Sequence, residues 1–512
     1  MAISVLAATF LRDSSWDGLG SYAETVHWLT RGAQSPQMQA EKAEFLGAMT
    51  QIRGSLLLGA IFSNLTGSLE SAKWTAFAWC LGGAMMLGSC PALPAQGVLF
   101  RGIIFLLALF QPVLLYQGAT LYQDAQIAGA MTGLFASFLA VCFHPGHQFW
   151  FSSLASLVCV AISKTFALGY LILLTPVFAA GFILRRNPWP ASIVLFSLLF
   201  CAYSLPCAFP AAREFQRRME TKATAISGGI TKILLFADPL AIDGNKTDGI
   251  HGGCGEVVSN SAVMFWRRHF AASKRGDDLH HIKPPFWFTR PELDVFSDLT
   301  PDLRFGGYGP LYGTAILLAL VPGLFLMGSL AESQTGWKWI LVACLVMIPI
   351  SPSWWSRWFP QGWWIPFASC VGFLCTPPDK LKKFRWAGWL AKGGLLALGL
   401  NSFLILVFTA KGYAEAESVI RRQLAFLKTL PTPLKIEPGH FAAARFWLDR
   451  EKILYERGKL SQESATMLLY RTSLEVEIPD RDLNRIRQSP DFLSMLRKHR
   501  LLHDPAKAEG RP

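Results

Sequence analysis

Long apolar runs alternate with short polar segments along most of the chain, and a polar stretch over 210–309 separates two apolar halves. A helix needs about 20 mostly apolar residues to cross roughly 30 Å of hydrocarbon. The stretch Gly54–Leu65 is amphipathic, which predicts a helix lying on the membrane, with a true span there as the alternative. The pattern predicts about ten spans, near 73–90, 98–116, 125–143, 149–164, 166–184, 189–209, 310–330, 337–352, 361–376 and 386–409.

The two ends of the chain differ from this pattern. Residues 1–10 are apolar but too short to span, so we interpret them as the outer end of a helix whose start is missing. Beyond residue 410, helical periodicity over Glu415–Leu430, Ala442–Gly458 and Ser461–Leu474 predicts a small soluble helical region. The predicted organisation is an N-terminal transmembrane half with the first outer loop (1–209, the catalytic module), a long outer loop (210–309), C-terminal transmembrane helices (310–410) and the tail (411–512).

The charge pattern gives this arrangement a direction. Only 16% of residues are charged, and the net charge is +13. Basic residues concentrate in short loops between apolar runs, which is typical of the cytoplasmic face of membrane proteins rather than of nucleic-acid binding. The first loop, the segment 210–309 and the tail are then predicted outside the cytoplasm. The basic residues that set this direction are Arg101, Arg185, Arg186, Lys380, Lys382, Lys383 and Arg385.

Metal or disulfide chemistry has little support in the sequence. Most of the ten cysteines lie inside apolar runs and no CxxC pair occurs, so they are interpreted as small packing residues. His251, Cys254 and His280 fall in the long polar stretch, but without the regular ligand spacing of a zinc site. We therefore predict no metal ligands.

Two acidic residues stand out on the predicted outer face. Asp17 follows Trp16 and precedes Gly18, and the glycine would let a ligand approach the backbone closely. Asp124 is the only acid in a very short loop between two spans. Two carboxylates on one face could serve as a general base and as a partner that orients substrate or holds a metal. Structural roles are equally open: an Asp-Gly turn for Asp17 and a helix N-cap for Asp124.

Two cations accompany them. Lys164 lies within a long apolar run, where a lysine needs a partner or must reach the interface by snorkelling. The predicted topology places it at the outer end of its span, where it could hold a lipid phosphate. Arg357 lies in Ser353-Trp-Trp-Ser-Arg-Trp-Phe-Pro360 and could bind phosphate through its fixed donors. The alternative for Arg357 is a chance cation in an interfacial aromatic belt.

Taken in order, these features resemble the GT-C polytopic glycosyltransferases, which include protein O-mannosyltransferases and the bacterial aminoarabinose transferase. The first-loop motif is matched by Trp16-Asp17 through Tyr22, His27 and Trp28, although Ala23 stands where that family has His. The other matches are Gln117 with Asp124, Lys164-Thr165, Tyr308-Gly-Pro-Leu311 and Trp354-Trp-Ser-Arg357-Trp358.

The resemblance implies an all-α integral membrane protein with a GT-C-like bundle of about 10–11 transmembrane helices. It implies transfer of a sugar from a polyprenyl-phosphate donor, with inversion, to a glycan, lipid or protein acceptor outside a bacterial inner membrane. Asp17 would be the base, Asp124 would orient the donor or a divalent metal that the sequence does not itself require, and Lys164 and Arg357 would bind the lipid phosphate. The substrate-binding candidates are Trp16, Tyr22, His27 and Gln117.

Three other functions remain open at this point. A transporter or flippase of a lipid-linked or small polar substrate would place ionisable groups at mid-membrane, facing a cavity. An enzyme like the O-antigen ligases or polymerases would carry its essential residues in 210–309. A membrane scaffold without catalytic activity would bind partners through its tail.

Overall fold

The computed structural model describes the chain in separate stretches. Of the predicted elements, residues 1–10, most of the spans near 149–164 and 166–184, the span near 189–209 and most of the loop 210–309 lie outside the described residues. The described ranges are 12–13, 22–30, 54–93, 97–118, 120–121, 123–143, 286–297, 308–328, 332–350, 359–377, 384–431, 433–437, 442–461 and 464–503, with isolated positions between 152 and 178, at 265 and at 382.

The regular secondary structure described in the N-terminal half is helical. Its core is the pair α3 (Trp74–Gly88) and α6 (Asp124–Phe143), whose backbones touch at two glycines. A Cβ on Gly129 would overlap the backbone of Cys80, and one on Gly83 would overlap the backbone at Gly129, so glycine is what permits this close approach. The helices are α1 (Ala23–Thr30), α2 (Gly54–Thr66), α3 (Trp74–Gly88), α4 (Val98–Leu109), α5 (Pro112–Gln117) and α6 (Asp124–Phe143), with a 3-10 turn at Leu69–Lys73 before α3.

The span predicted as one helix over 98–116 is broken, which corrects the prediction. α4 ends at Leu109, and Gln111 is extended, with a ψ of 148°. Pro112 disfavours a helical conformation at the residue before it and is well suited to the first turn of a new helix, so α5 begins there. The predicted surface helix at Gly54–Leu65 is confirmed as a helix by α2.

Arg101 on α4 closes the far end of α3. Its guanidinium donates to the carbonyls of Gly88 at 3.2 Å, Cys90 at 3.3 Å and Leu93 at 2.8 Å. The Gly88 carbonyl belongs to the last turn of α3, where carbonyls have no intrahelical partner. The basic residue predicted at the cytoplasmic boundary thus lies at the end of α3 opposite to Lys73.

The C-terminal half forms a second helical group, in which α8 (Tyr312–Gly328), α9 (Glu332–Ile350), α10 (Trp364–Leu374) and α11 (Arg385–Leu427) pack together. α8 exposes a row of large apolar side chains at Leu317, Leu320 and Leu324. Of the described helices, only α6 and α11 have both the length and the apolar composition of a membrane span. The helices are α7 (Arg290–Ser297), α8 (Tyr312–Gly328), α9 (Glu332–Ile350), α10 (Trp364–Leu374) and α11 (Arg385–Leu427), with a 3-10 turn at Pro360–Trp363 before α10.

α11 is much longer than the predicted span 386–409. It runs for 43 residues without a break, so the boundary predicted at residue 410 falls inside a helix. Residues 411–427 are rich in Ala, Glu, Arg and Leu, which are strong helix formers, and the first proline after them is Pro431. The helix therefore continues from its apolar part into a polar part.

The C-terminal region is not all helical, so the prediction of a helical tail is wrong. It holds a five-stranded sheet whose strands, numbered along the chain, stand in the order 2-1-4-3-5. The first and second strands are parallel and the other pairs are antiparallel. The predicted helix Ser461–Leu474 is largely a strand and a turn. The strand pairs with the segment Glu475-Val-Glu-Ile, in which polar and apolar residues alternate with the period of two that is typical of a strand. The elements are β1 (Leu434–Glu437), α12 (Arg445–Arg450), β2 (Tyr455–Arg457), β3 (Ala465–Leu468), β4 (Glu475–Ile478), α13 (Asp480–Gln488), α14 (Pro490–Lys498) and β5 (Leu502–His503).

One hydrophobic core joins the sheet region to the first loop. Tyr22, just before α1, Val26 of α1 and Leu56 of α2 pack in the same cluster as Ile436 and Val476 of the sheet. The first loop and the C-terminal region are therefore packed against each other.

Candidate functional site

Asp124 is the first residue of α6 and is fully buried. Its carboxylate therefore lies where the helix dipole and the unpaired amides of the first turn favour negative charge. The loop before it is also polar and buried, at Gln117, Thr120 and Gln123. Thr120 donates to the carbonyl of Gln117 through its backbone N–H at 2.9 Å and its hydroxyl at 2.8 Å, which closes the loop into a tight turn.

The first outer loop reaches this turn through Asp13. The Asp13 carboxylate accepts the backbone N–H of Leu121 at 2.6 Å, three residues before Asp124. The backbone N–H of Asp13 in turn donates to the carboxylate of Glu70 at 3.2 and 3.3 Å. Asp13 is 2% exposed, so these bonds form in a site that excludes most water. The start of the first loop and the start of α6 are thereby fixed side by side.

A buried ion pair completes the group. Lys73 and Glu70 lie one turn apart on the 3-10 turn before α3, with their charged atoms 2.5 Å apart. Both residues are buried, and a lysine is almost never buried without a partner. We call Asp13, Glu70, Lys73, Gln117 and Asp124 the polar cluster. Asp13, Glu70 and Lys73 thus bring two further carboxylates and a cation to the segment that connects Gln117 with Asp124, through the bond from Asp13 to Leu121.

Sequence reasoning missed Asp13, Glu70 and Lys73. The available signal was Glu70-x-x-Lys73 at the start of an apolar run, since residues three apart face each other on a helical turn. Charged residues at the ends of apolar runs usually lie at the membrane interface. The local sequence therefore did not distinguish Glu70 and Lys73 from such interfacial residues.

Arg12 ties the same loop to the C-terminal region. One of its guanidinium nitrogens bonds Glu417 on α11, and the other bonds Glu451 at 2.6 Å. Its backbone N–H also donates to Glu417 at 3.2 Å. Lys428 donates to Glu451 at 2.5 Å, and that bond together with the neighbouring positive charges holds the pKa of Glu451 below its usual value.

The predicted substrate-binding residues of the first loop have different surroundings. Tyr22 is buried in the core that α1 shares with the sheet region, which also contains Leu121. The ring of His27 packs against Phe446, with 4.3 Å between ring centroids. The structure thus places His27 against the C-terminal region, while Gln117 is buried at the end of α5. The substrate-binding role of both residues stays a prediction.

The other predicted site residues lie outside the described residues. These are Trp16, Asp17, Lys164 and Arg357. Their roles stay predictions. Among the residues that the structure describes, no group of His, Cys, Asp and Glu has the arrangement of a metal site.

The turn Tyr308-Gly-Pro-Leu311 is fixed from two sides. The side chain of Asn401 on α11 donates to the Tyr308 carbonyl at 2.7 Å and accepts the Leu311 N–H at 2.9 Å. Gly309 has a φ of +108°, and a Cβ there would overlap the Asn401 amide. Only glycine fits this position, which gives the motif singled out in the sequence a structural reason.

The same turn holds the segment that follows Arg357. The hydroxyl of Tyr308 donates to the carbonyl of Phe359, and that of Tyr312 donates to the carbonyl of Gly362. Tyr170 is buried in the same hydrophobic core as Tyr308 and Tyr312. The 3-10 turn at Pro360–Trp363 also packs directly against α6, the helix that begins at Asp124.

Comparison with known proteins finds two matches among solved structures. No family model and no curated protein matches the chain. The crystal structure of ArnT from Cupriavidus metallidurans in the apo state matches with a TM-score of 0.46 and 12% identity, over 90% of this chain and 84% of that one. The structure of ArnT bound to undecaprenyl phosphate matches with a TM-score of 0.46 and 13% identity, over 90% and 85%.

ArnT is an aminoarabinose transferase of the GT-C group. At this identity and TM-score, the likeness assigns neither an activity nor a residue role to the present chain.

Proposed function

We propose that the chain is a membrane glycosyltransferase that moves a sugar from a polyprenyl-phosphate donor to an acceptor on the non-cytoplasmic face. The observation that carries the proposal is the bond between Asp13 and Leu121, which joins the first loop to the start of α6. Two segments far apart in the chain, each with an acid matching the family motif, thereby meet at one end of the molecule.

Chain length supports the role of Asp17. Each residue extends the backbone by at most about 3.6 Å. The Cα atom of Asp17, four residues after Asp13, is therefore within about 14 Å of the Asp13 Cα atom in any conformation. Asp13 is itself bonded three residues before Asp124. We propose Asp17 as the base that deprotonates the acceptor, and Asp124 as the group that orients the donor or holds a metal.

The same reasoning supports Arg357. It precedes Phe359 by two residues and so lies within about 7 Å of it. The carbonyl of Phe359 accepts the Tyr308 hydroxyl, and the turn that follows it packs against α6, the helix that begins at Asp124. Lys164 precedes Tyr170 by six residues, and Tyr170 belongs to the same hydrophobic core as Tyr308. We propose that Arg357 and Lys164 bind the lipid phosphate and stabilise the negative charge that develops as it leaves.

The proposed location is a bacterial inner membrane. The apolar side chains exposed along α8 and α11, including Leu320, Leu324, Leu396 and Phe403, would then face lipid. A soluble protein rarely exposes apolar surface of this extent. The sheet region and the first loop would lie together on the non-cytoplasmic side.

The test is transfer of a radiolabelled sugar from polyprenyl-phosphate donors to an envelope fraction, measured by scintillation counting. Asp17→Asn removes the base and should slow transfer by about 100-fold or more. Asp124→Asn should also slow it. The matched control is Asp294→Asn, because Asp294 lies on α7 with a half-exposed side chain in a long ion pair with Arg290 at 3.9 Å.

Two results would contradict the proposal. One is a label that crosses the membrane while still attached to polyprenyl phosphate, which indicates a carrier. The other is unchanged turnover in Asp17→Asn and Asp124→Asn, which removes both acids from the mechanism.

A further inference from the structure

The 3-10 turn at Pro360–Trp363 contains a buried glutamine whose amide makes no hydrogen bond within the part of the chain that the structure describes. Gln361 is 0% exposed, and neither its oxygen nor its nitrogen has a partner. Leaving a buried amide unpaired is costly, so such groups usually bind a ligand or an ordered water. Within the described part of the chain, the Gln361 amide therefore has a free donor and a free acceptor that a polar ligand could bind.

Gln423 on α11 shows what a structural glutamine looks like in the same molecule. It is equally buried, but its amide nitrogen donates to the Leu468 carbonyl at 2.8 Å. Its amide oxygen accepts the N–H of Tyr470 at 2.9 Å. Both ends of that side chain are used to hold α11 against the sheet region.

A second polar atom close to Gln361 in the chain is also buried without a hydrogen-bond partner among the described residues. The indole nitrogen of Trp363 is buried and has no acceptor among the described residues. The Trp363 ring stacks on Tyr312, with 6.1 Å between centroids and 20° between planes. Two hydrogen-bonding groups and an aromatic stack thus lie within one turn.

This turn is held firmly, so the unpaired amide is not the result of a loose segment. Tyr308 and Tyr312 donate to carbonyls at its start and its middle. A Cβ on Gly362 would overlap the Tyr308 ring and hydroxyl, so the turn lies flush against that ring. The turn also packs against α6, the helix that begins at Asp124.

We propose that the Gln361 amide and the Trp363 indole N–H bind hydroxyl groups of the sugar carried by the lipid-linked donor. An amide both donates and accepts, and so does a hydroxyl, whereas a phosphate only accepts. Both groups are neutral, which suits a sugar better than the charged part of the donor. This assignment rests on the proposed glycosyltransferase function and adds to it the residues that distinguish the sugar.

The experiment measures binding of four probes to the full chain in nanodiscs: undecaprenyl phosphate, and undecaprenyl phosphate linked to glucose, mannose or 4-amino-4-deoxyarabinose. The wild type should bind at least one linked sugar more tightly than undecaprenyl phosphate alone. Gln361→Met should weaken binding of that donor roughly tenfold, the loss of an ordinary ligand hydrogen bond. Binding of undecaprenyl phosphate should not change. Trp363→Phe, which removes the N–H and keeps an aromatic ring, should act in the same direction.

The melting temperature distinguishes ligand binding from a structural role. Gln361→Met removes an unpaired polar group, so it should leave the melting temperature unchanged or raise it. The control Gln423→Met should lower it, because two backbone groups lose their partners, and should leave sugar binding intact.

Three results would overturn the assignment. The first is that Gln361→Met retains the full preference for the linked sugar, as a turn that holds only water would. The second is that no linked sugar binds more tightly than undecaprenyl phosphate. The third is that the wild type binds none of the four probes, which would remove the proposed function as well.

Discussion

Arg12 should be the residue whose loss most loosens the first loop from the rest of the molecule. Its side chain is 5% exposed and pairs with Glu417 and Glu451, which belong to α11 and to the C-terminal region. Methionine in its place keeps much of the buried aliphatic volume but removes the charge. The carboxylate of Glu417, itself 9% exposed, would then lose its closest cation.

The size of the effect follows from what remains. Breaking a buried ion pair by removing one partner costs about 3–5 kcal/mol. Glu417 keeps a bond from Arg421 at 2.7 Å, and Glu451 keeps its bond from Lys428, so we expect about 2–3 kcal/mol. If the free energy of local opening falls by this amount, amide hydrogen exchange in the first loop becomes about 30- to 150-fold faster than in the wild type.

Hydrogen exchange measured by mass spectrometry on the full chain in nanodiscs provides the assay. Arg12→Met should accelerate exchange in peptides covering 22–30, while the apolar part of α11 stays protected. The matched control is Arg290→Met, because Arg290 is 82% exposed and its ion pair with Asp294 is long at 3.9 Å. An exposed pair of this kind contributes little to stability, so the control should behave as wild type.

A double variant makes the reasoning refutable. Replacing both members of a buried pair by apolar residues is often nearly neutral, so Arg12→Met with Glu417→Met should restore much of the protection. Equal exchange in Arg12→Met and Arg290→Met would show that the buried pair does not hold the loop. A double variant whose losses simply add would show that the two residues act independently.

Two further predictions concern stability. Gly309→Ala should destabilise the protein by about 2–4 kcal/mol, because alanine is strained at this φ and overlaps Asn401. The control Gly388→Ala, in a helix with open space around it, should be neutral or stabilising. Equal melting temperatures for the two variants would contradict this prediction. The lowered pKa of Glu451 contributes stability above its unfolded value of 4.5, and that contribution is lost as the pH falls through the lowered folded value. Melting temperatures between pH 7 and pH 3 should therefore fall most at the acid end, and they should fall less in Glu451→Gln.

The long helices were predictable because their apolar runs are long and few residues interrupt them. α6 begins one residue before the predicted position 125, and α11 begins at Arg385 beside the predicted 386. The break before Pro112 could have been predicted from the restriction that proline places on the residue before it. The span 98–116 was predicted from the length of its apolar run alone.

The sheet was harder to predict because its strands are only two to four residues long. A segment of that length gives little periodicity, and charged residues such as Glu475 and Glu477 occur in helices as often as on the exposed face of a sheet. The end of α11 was missed for a related reason. Hydropathy falls near residue 410, but helix propensity does not.

The site was predictable only where a residue was unusual for its place in the sequence. Asp124 stood out as a lone acid in a short loop, and the structure buries it at the start of α6. Asp13, Glu70 and Lys73 did not stand out, because their importance depends on contacts between segments more than 50 residues apart, such as Asp13 with Glu70. Local pattern carries no information about such pairings.

The central claim is that the first loop, the start of α6, the region of Lys164 and the segment around Arg357 face one lipid-phosphate site. A polyprenyl phosphate with a diazirine beside its phosphate, photolysed with the full chain in nanodiscs and mapped by mass spectrometry, tests this most directly. We predict crosslinks in all four ranges 12–30, 117–124, 160–170 and 353–363. Crosslinks confined to 91–97 and 377–385, the loops predicted on the opposite face, would contradict the account.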